Sequence, residues 1–348
     1  MLARHAGRRS AFSRAAWTAP ATAQALPFDG NHPLIDRDDV HEIYAEWRAV
    51  FNSYDPPRTA VAEAWVDSSR VPLYASPESL GQAFNFDLLQ ADYDAAEFRR
   101  VVTDNLRLAA ESGSSSTWVL SNHDVVRHAT RYGLPPLGPE ARGRGAVKHG
   151  TDWVRSGGLE PPLDRDRGLR RARAATMLML ALPGSSYLYQ GEELGLHEVA
   201  EITAAQRQDP TFFRGDGEDY GRDGCRVPLP WTRDGSSFGF GSGGAHLPQP
   251  AWFGDVAVDV QERDPASTLA LYRRALGLRH RLQGEERLEW IETGRDDVLH
   301  FARPNGWEVI ANFGATPFRL DGEPVLSSAT DTTPGVVPGE TTVWLAPS

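Results

Sequence analysis

The chain has 348 residues and a formal net charge of −11 with a sequence pI near 5.4, and 40% of its residues are hydrophobic. The excess of negative charge repels phosphate backbones and anionic lipids, so we expect no nucleic acid and no membrane surface as a partner. No apolar run reaches the roughly 20 residues that a membrane-spanning helix needs. The single cysteine, Cys225, excludes an intrachain disulfide and a cysteine-rich metal site.

The N-terminal residues are basic and rich in alanine, and we leave residues 1–22 as an unassigned leader. The stretch WTAP (17–20) is a poor apolar core for a signal peptide. The sequence therefore predicts a cytoplasmic protein rather than an exported one.

From residue 36 onward, segments with helical and strand-like patterns alternate. The predicted helices are 36–54, 94–112, 166–184 and 265–283, and the aspartates near 36–39 are expected to cap the first. The predicted strands are 59–66, 82–88, 117–121 and 186–190. Residues 133–164 are rich in glycine and proline without a period, which predicts a long loop.

The C-terminal region has a different pattern. After the last helix, the runs LEWIETG, DDVLHFARP, WEVIANFG and TTVWLAP read as short alternating strands joined by turns. This pattern predicts a small antiparallel β-sandwich. We therefore place an α/β domain at residues 23–284 and a β-sandwich domain at residues 285–348.

Polar groups follow three of the predicted strands, in the segments EAWV, NHD and QGEE. Strands that alternate with helices predict parallel βα units. Catalytic groups collect at the carboxyl edge of such strands, whereas the opposite edge contributes to stability. Three polar strand ends therefore favour a functional site over a set of ordinary surface turns.

Two acids at these strand ends are candidates for catalysis. Glu63 lies inside the apolar run VAEAWV, where a salt-bridged structural acid is the alternative interpretation. As a functional group, it would be a general acid that apolar neighbours such as Trp65 keep protonated. Asp124, beside His123, would need a solvated or hydrogen-bonded environment that keeps it ionised. Two carboxylates in different environments suit glycoside hydrolysis.

Four segments in order, VAEAWV, VLSNHDVVRHATRYG, PGSSYLYQGEELGL and RDGCRVPLPW, resemble successive motifs of glycoside hydrolase family 13, the α-amylase family. The bacterial α-glucosidases and oligo-1,6-glucosidases are the most similar branch. The resemblance extends from about Leu26 to the C-terminus and includes the final β-domain.

This resemblance implies a (β/α)8 TIM barrel and a retaining mechanism. It implies that Glu63 is the general acid/base after the fifth strand and that Asp124, after the seventh, stabilises the transition state. His123 would contact the same glucose unit, and Arg127 would help to hold it. The alternatives are a packing histidine at position 123 and an ordinary surface arginine at position 127. No cofactor and no metal ion are expected.

The family nucleophile, an aspartate in a stretch resembling G-F-R-x-D, has no counterpart in this sequence, and the motif D-x-x-x-N-H is also missing. We therefore expect strands 5–8 of a barrel, an N-terminally incomplete catalytic domain. A half barrel leaves two unpaired edges and an open inner face, which predicts self-association.

The leading hypothesis is an α-glucosidase-type hydrolase of short α-glucosides such as maltose, isomaltose and malto-oligosaccharides. A glucosyl transferase or isomerase of the same family, such as a trehalose-forming enzyme, would use the same carboxylates. A non-catalytic carbohydrate-binding protein that kept both acids is the third hypothesis. Turnover of a glucoside, rather than binding alone, separates the third hypothesis from the first.

Overall fold

The computed structural model describes Gly30 and residues 34–137, 145–215, 219–331 and 333–347, so the leader at 1–22 lies outside the described residues. Within these ranges the α-helices are α1 (Val40–Phe51), α2 (Val71–Ala75), α3 (Asp87–Gln90), α4 (Ala95–Ser112), α5 (His128–Gly133), α6 (Gly145–Arg155), α7 (Arg165–Ala181), α8 (Pro210–Arg214), α9 (Val258–Gln261) and α10 (Thr268–Leu282). The strands are β1 (Ala60–Ala62), β2 (Gly81–Ala83), β3 (Thr117–Val119), β4 (Ser185–Tyr187), β5 (Glu289–Trp290), β6 (Val298–Ala302), β7 (Glu308–Asn312), β8 (Phe318–Arg319), β9 (Leu326–Ser327), β10 (Val336–Val337) and β11 (Thr341–Leu345).

The first four strands form two parallel pairs. Strand β1 pairs with β2, and β3 pairs with β4. The parallel direction was predicted, but each strand is shorter than its predicted range. The second strand in particular ends at Ala83, because Asn85 Oδ1 accepts the backbone N–H of Asp87 at 2.8 Å and turns the chain into α3. The predicted strand over 82–88 is therefore wrong beyond Ala83.

Side chains, rather than a continuous backbone ladder, link these two pairs in the described ranges. The hydroxyl of Thr117 donates to the carbonyl of Ala83 and accepts the backbone N–H of Asn85. On the other side, Gln82 donates to the hydroxyl of Ser185 at 2.9 Å and accepts the phenol of Tyr187 at 2.7 Å. All four strand ends are thereby held in one layer.

Two long helices pack against this layer and supply much of the core. Asp94 caps the start of helix α4, where its Oδ1 accepts the N–H of Glu97 at 2.8 Å, and Gly113, with a φ of 66°, caps the end. Asp164 caps helix α7 by accepting the N–H of Arg167. Both predicted helices are confirmed within a few residues.

Two local predictions in this half of the chain are wrong. Asp39 occupies the N-cap of α1 but makes no capping hydrogen bond, because its carboxylate pairs with Arg37. The predicted loop over 133–164 contains helix α6, whose Trp153 is buried against Val126 and Leu134. The glycines at its start concealed its short amphipathic pattern.

The C-terminal residues form a five-stranded antiparallel sheet in the order β5-β6-β7-β11-β9, with β8 and β10 as a second, two-stranded sheet. The four predicted strands correspond to β5, β6, β7 and β11, whereas the two-residue strands β8, β9 and β10 were too short to predict. Trp307 and Trp344 are fully buried in the same apolar core as helices α4 and α7. The sheet is thus packed directly on the α/β layer.

No helix in the described part of the chain is long and apolar enough to cross a membrane. The cytoplasmic location remains a prediction.

Candidate active site

Three predicted site residues meet at the carboxyl ends of the parallel strands. Glu63 directly follows β1, and His123 and Asp124 lie four and five residues after β3. His123 Nε2 is 3.9 Å from Glu63 Oε1 and 3.5 Å from Asp124 Oδ1, and the three groups have ligand atoms within 4.8 Å of one another. Two strands far apart in sequence therefore present two carboxylates and one imidazole at one point.

Glu63 is more exposed than its apolar neighbours suggested. Along β1 and the residues after it, Ala62 is buried, while Val61, Glu63 and Trp65 are exposed on alternate positions. The side chain of Glu63 is 43% exposed. Trp65 stacks on Phe86 with ring centroids 4.1 Å apart. Within the described residues, Trp65 therefore packs on Phe86 while Glu63 stays open to solvent.

Glu63 and Trp65 instead line an open, largely apolar groove. The groove has a volume of about 1090 Å³ and runs between the end of β1 and helix α1. Its apolar lining includes Leu34, Ile35 and Ile43. A groove of this size can hold a sugar beside Glu63.

Asp124 is held by two arginines that the sequence analysis did not select. Arg222 Nη1 and Arg226 Nη2 donate to the same oxygen, Oδ1, at 2.8 and 3.0 Å. Arg226 Nε also donates to the backbone carbonyl of His123 at 2.8 Å. The segment RDGCR was recognised as a motif, but its spacing gives no sign of which residue its arginines contact. The two guanidinium groups thus give Asp124 the hydrogen-bonded environment that this interpretation required.

Arg127 lies behind the cluster rather than within it. Its side chain is buried, donates to the backbone carbonyls of Gln190 and Cys225 at 2.9 Å each, and lies over the ring of Tyr189. Its backbone N–H donates to Glu198 at 3.0 Å. Arg127 thus joins the segment after β3 to the long segment after β4, and among the described residues it makes no hydrogen bond or ion pair to the Glu63 cluster.

Several titratable groups are buried behind Arg127. Burial raises the pKa of Glu192 to about 8 and that of Glu198 to about 7. Burial also lowers the pKa of His197 to about 4. Because Glu192, Glu198 and His197 are shielded from solvent, they do not contact a ligand in the groove. Glu198 instead accepts the backbone N–H of Arg127 and so holds the segment that follows β3.

The cluster offers one imidazole nitrogen and carboxylate oxygens, a ligand set that Zn²⁺ accepts in other proteins. Two guanidinium groups already share Asp124 Oδ1, however, and their positive charge disfavours a cation at that oxygen. The cluster is therefore better suited to a neutral hydrogen-bonding ligand than to a bare cation.

Comparison with known proteins identifies the family. Residues 162–285 match the family description "Alpha amylase, catalytic domain". A probable alpha-glucosidase of Rhizobium meliloti (strain 1021) is 33% identical over 310 residues, which cover 85% of this chain and 49% of that protein. This chain belongs to the α-amylase family. It spans about half the length of this curated relative.

Other relatives within the family carry different names. The crystal structure of the alpha-glucosyl transfer enzyme XgtA has a TM-score of 0.68 and 29% identity, and the match covers 89% of this chain and 54% of that one. The trehalose synthase/amylase TreS of Mycobacterium tuberculosis (strain ATCC 25618 / H37Rv) is 28% identical over 260 residues, or 68% of this chain and 39% of that protein. These likenesses support the α/β fold with its C-terminal antiparallel sheet.

Proposed function

We propose that this chain provides the acid/base half of an α-glucosidase-type active site that acts on short α-glucosides such as maltose and isomaltose. The observation that carries the proposal is the meeting of Glu63, His123 and Asp124 at the carboxyl ends of two parallel strand pairs. The similarity to a probable alpha-glucosidase supports it.

Each residue has a separate role in this proposal. Glu63, open to the groove, donates a proton to the oxygen of the leaving group and later withdraws one from water. Asp124, fixed by two arginines, stabilises the positive charge that develops on the sugar. His123, between the two carboxylates, donates a hydrogen bond to a sugar hydroxyl. Arg127 acts indirectly, because it holds the loops that carry Gln190 and Cys225.

A retaining reaction also needs a nucleophilic carboxylate, and the cluster in the described ranges holds two carboxylates and no third. Asp36 cannot serve, because it is buried and its carboxylate is occupied by Arg70 and by the phenol of Tyr74. We propose that the nucleophile joins the cluster from polypeptide outside the described residues. The open groove beside Glu63 is where such a segment would pack.

Transfer of a glucosyl group is the second candidate function. It is favoured by the likeness to the alpha-glucosyl transfer enzyme XgtA. The same carboxylates serve hydrolysis and transfer, and the exclusion of water decides between them. The exposure of Glu63 leaves the acid accessible to water, which favours hydrolysis over transfer once a nucleophile is supplied.

The incomplete cluster is also consistent with self-association, in which two copies cover each other's open faces. Exposed apolar side chains on α1, namely Ile43, Trp47 and Val50, lie at helical spacing, and Ile43 also lines the groove. Sedimentation velocity of the purified chain tests this part of the proposal, and a concentration-independent monomer contradicts it.

The function is tested with two substrates and two preparations. Release of nitrophenol from 4-nitrophenyl α-glucoside and of glucose from maltose is measured for the chain alone and after addition of a family segment that carries G-F-R-x-D. We expect very slow turnover by the chain alone and faster turnover by the mixture. In the mixture, Glu63→Gln should reduce the rate on maltose by about 10²–10⁴-fold and on the aryl glucoside by less, because a nitrophenol leaves without much acid assistance.

Glu292→Gln is the matched control, because this acid is 80% exposed and pairs with Arg99 far from the cluster in sequence. It should leave both rates unchanged. Fast turnover by the chain alone that Glu63→Gln abolishes would show that the chain has its own nucleophile. Binding of maltose without turnover in any mixture would favour the non-catalytic carbohydrate-binding protein.

A further inference from the structure

Arg222 connects the exposed site to a buried acid. Its Nη1 donates to Asp124 Oδ1 at 2.8 Å, while Nε and Nη2 donate to Asp209 Oδ2 and Oδ1 at 2.7 and 3.2 Å. One planar guanidinium group thus bonds to Asp209 with two nitrogens and uses a third nitrogen for Asp124. The fixed geometry of this group transmits the position of one carboxylate to the other.

Asp209 is itself immobile. Its side chain is fully buried, and its carboxylate also accepts the backbone N–H groups of Arg222 and Thr211 at 2.8 and 3.0 Å. The hydrogen bond from the Arg222 side chain keeps the pKa of Asp209 well below its usual range. Because four donors bind this buried carboxylate, its hydrogen-bonding capacity is satisfied in the present orientation.

The backbone around this pair is built for a close approach. Gly221 has a φ of 67°, and a Cβ at this position would lie 2.8 Å from the Cβ of Asp209. In return, the buried carboxylate of Asp223 accepts the N–H groups of Gln208 and Asp209 at 2.9 and 3.1 Å. Each of the two segments therefore caps backbone donors of the other.

The consequence reaches the second oxygen of Asp124, Oδ2. Arg222 and Arg226 both donate to Oδ1, and within the described residues Oδ2 accepts no hydrogen bond from the protein. With Oδ1 fixed, the carboxylate cannot rotate, and Oδ2 is left to accept from sugar hydroxyls. If Arg226 were the single donor to Oδ1, the carboxylate would keep more rotational freedom than it has with both arginines.

We infer that Arg222, anchored by the buried Asp209, is a positioning residue that sets the rotamer of Asp124 and directs its Oδ2 toward the sugar. This inference rests on the proposed function for its ligand but concerns residues outside the acid cluster. It assigns a role to Asp209, which lies 85 positions after Asp124 in the sequence and is linked to it through Arg222.

The test compares Arg222→Met, Arg222→Lys and Asp209→Asn in the full chain, with Arg233→Met as control because Arg233 is exposed and pairs with exposed Asp255. Calorimetry measures the dissociation constant of maltose, a neutral glucoside. Loss of a charged hydrogen bond that orders Asp124 should weaken binding about tenfold or more in Arg222→Met and Asp209→Asn. Lysine should restore part of the affinity, because it keeps one charged donor.

The double variant Arg222→Met with Asp209→Asn distinguishes a shared positioning role from two independent effects on affinity. If Asp209 acts through Arg222, the double variant should bind no more than about twofold more weakly than Arg222→Met alone. A merely structural role would lower the melting temperature and leave the affinity of the folded fraction unchanged. Additive losses, or an affinity of Arg222→Met within twofold of the unmodified chain, would overturn the inference.

A second readout needs no ligand. Hydrogen exchange of the backbone amides in residues 121–127 should be at least about threefold faster in Arg222→Met than in the unmodified chain or Arg233→Met, because the loop loses an anchor. If the unmodified chain does not bind maltose, the proposed function fails, while the exchange rates still decide the positioning role. Unchanged exchange in Arg222→Met overturns it.

Discussion

Glu340 joins the C-terminal sheet to helix α7, and its substitution gives a sharp test of how the two are held together. One carboxylate oxygen accepts from Arg167 Nε at 2.7 Å and from Arg171 Nε at 2.8 Å, and the other accepts from Arg170 Nη2 at 3.3 Å. The side chain of Glu340 is only 10% exposed. We predict that Glu340→Gln destabilises the whole chain, because the sheet and the helix share one core.

The expected loss follows from the two short contacts. A hydrogen bond to a charged group contributes about 1.5–3 kcal/mol, but Arg167 is 40% exposed and its share is screened. Arg171 is 8% exposed and keeps its bond to the carbonyl of Tyr132 after the substitution. We expect Glu340→Gln to lower the free energy of unfolding by about 2 kcal/mol, which corresponds to a fall in melting temperature of about 3–6 °C.

The loss should depend on pH. Burial raises the pKa of Glu340, but the hydrogen bond from Arg167 and the charge of Arg171 outweigh burial and lower it below the ordinary value of 4.5. A group whose pKa is lower in the folded state stabilises above its unfolded pKa and loses that contribution as the pH falls through the folded pKa. The difference between the unmodified chain and Glu340→Gln should therefore be full at pH 7 and shrink below about pH 4.

Thermal unfolding followed by circular dichroism at pH 7 and pH 3.5 measures the loss of stability in Glu340→Gln and its dependence on pH. Asp321→Asn is the control, because the Arg319–Asp321 pair is 86% exposed on both sides and should contribute less than about 0.5 kcal/mol. In double-variant cycles, Glu340 should couple to Arg171 more strongly than to Arg170. Equal coupling to both arginines, or a loss that is the same at both pH values, would refute this account of the interface.

Three further predictions concern single positions. Asp94→Ala removes the cap on the Glu97 N–H and should lower the free energy of unfolding, measured by chemical denaturation, by about 1 kcal/mol. A decrease below about 0.3 kcal/mol would show that the cap is dispensable. Gly184→Ala should cost more than about 3 kcal/mol or prevent folding, because φ is 91° and a Cβ would lie 2.2 Å from the carbonyl of Ser116; near-normal expression and melting would contradict this. Glu192→Gln should raise the melting temperature much more at pH 9 than at pH 5. The pKa of Glu192 is about 8 in the folded chain and 4.5 as the ordinary value, so the stability that its neutral form provides is lost as the pH rises between these two values. Equal shifts at both pH values would contradict this.

The sequence by itself determined the elements whose signals are local. Helices α4 and α7 follow from apolar periodicity and from the caps Asp94 and Asp164, which act within a few residues. The strand ends at Glu63 and Asp124 were also predictable, because a polar group at the end of an apolar run is visible in the sequence. The helix in residues 145–155 was missed, since glycine-rich flanks weaken a short periodic signal.

The tertiary structure alone decided what surrounds the site residues. Arg222 and Arg226 reach Asp124 across about a hundred positions, and Arg127, polar and next to the motif, turns inward to bind two loop carbonyls. Glu63 is open to solvent although its neighbours in sequence are apolar, because alternate positions of a strand face opposite sides and its side is uncovered in the described residues. Sequence patterns report which residues follow one another, whereas the environment of a charge depends on chain segments that folding brings from elsewhere.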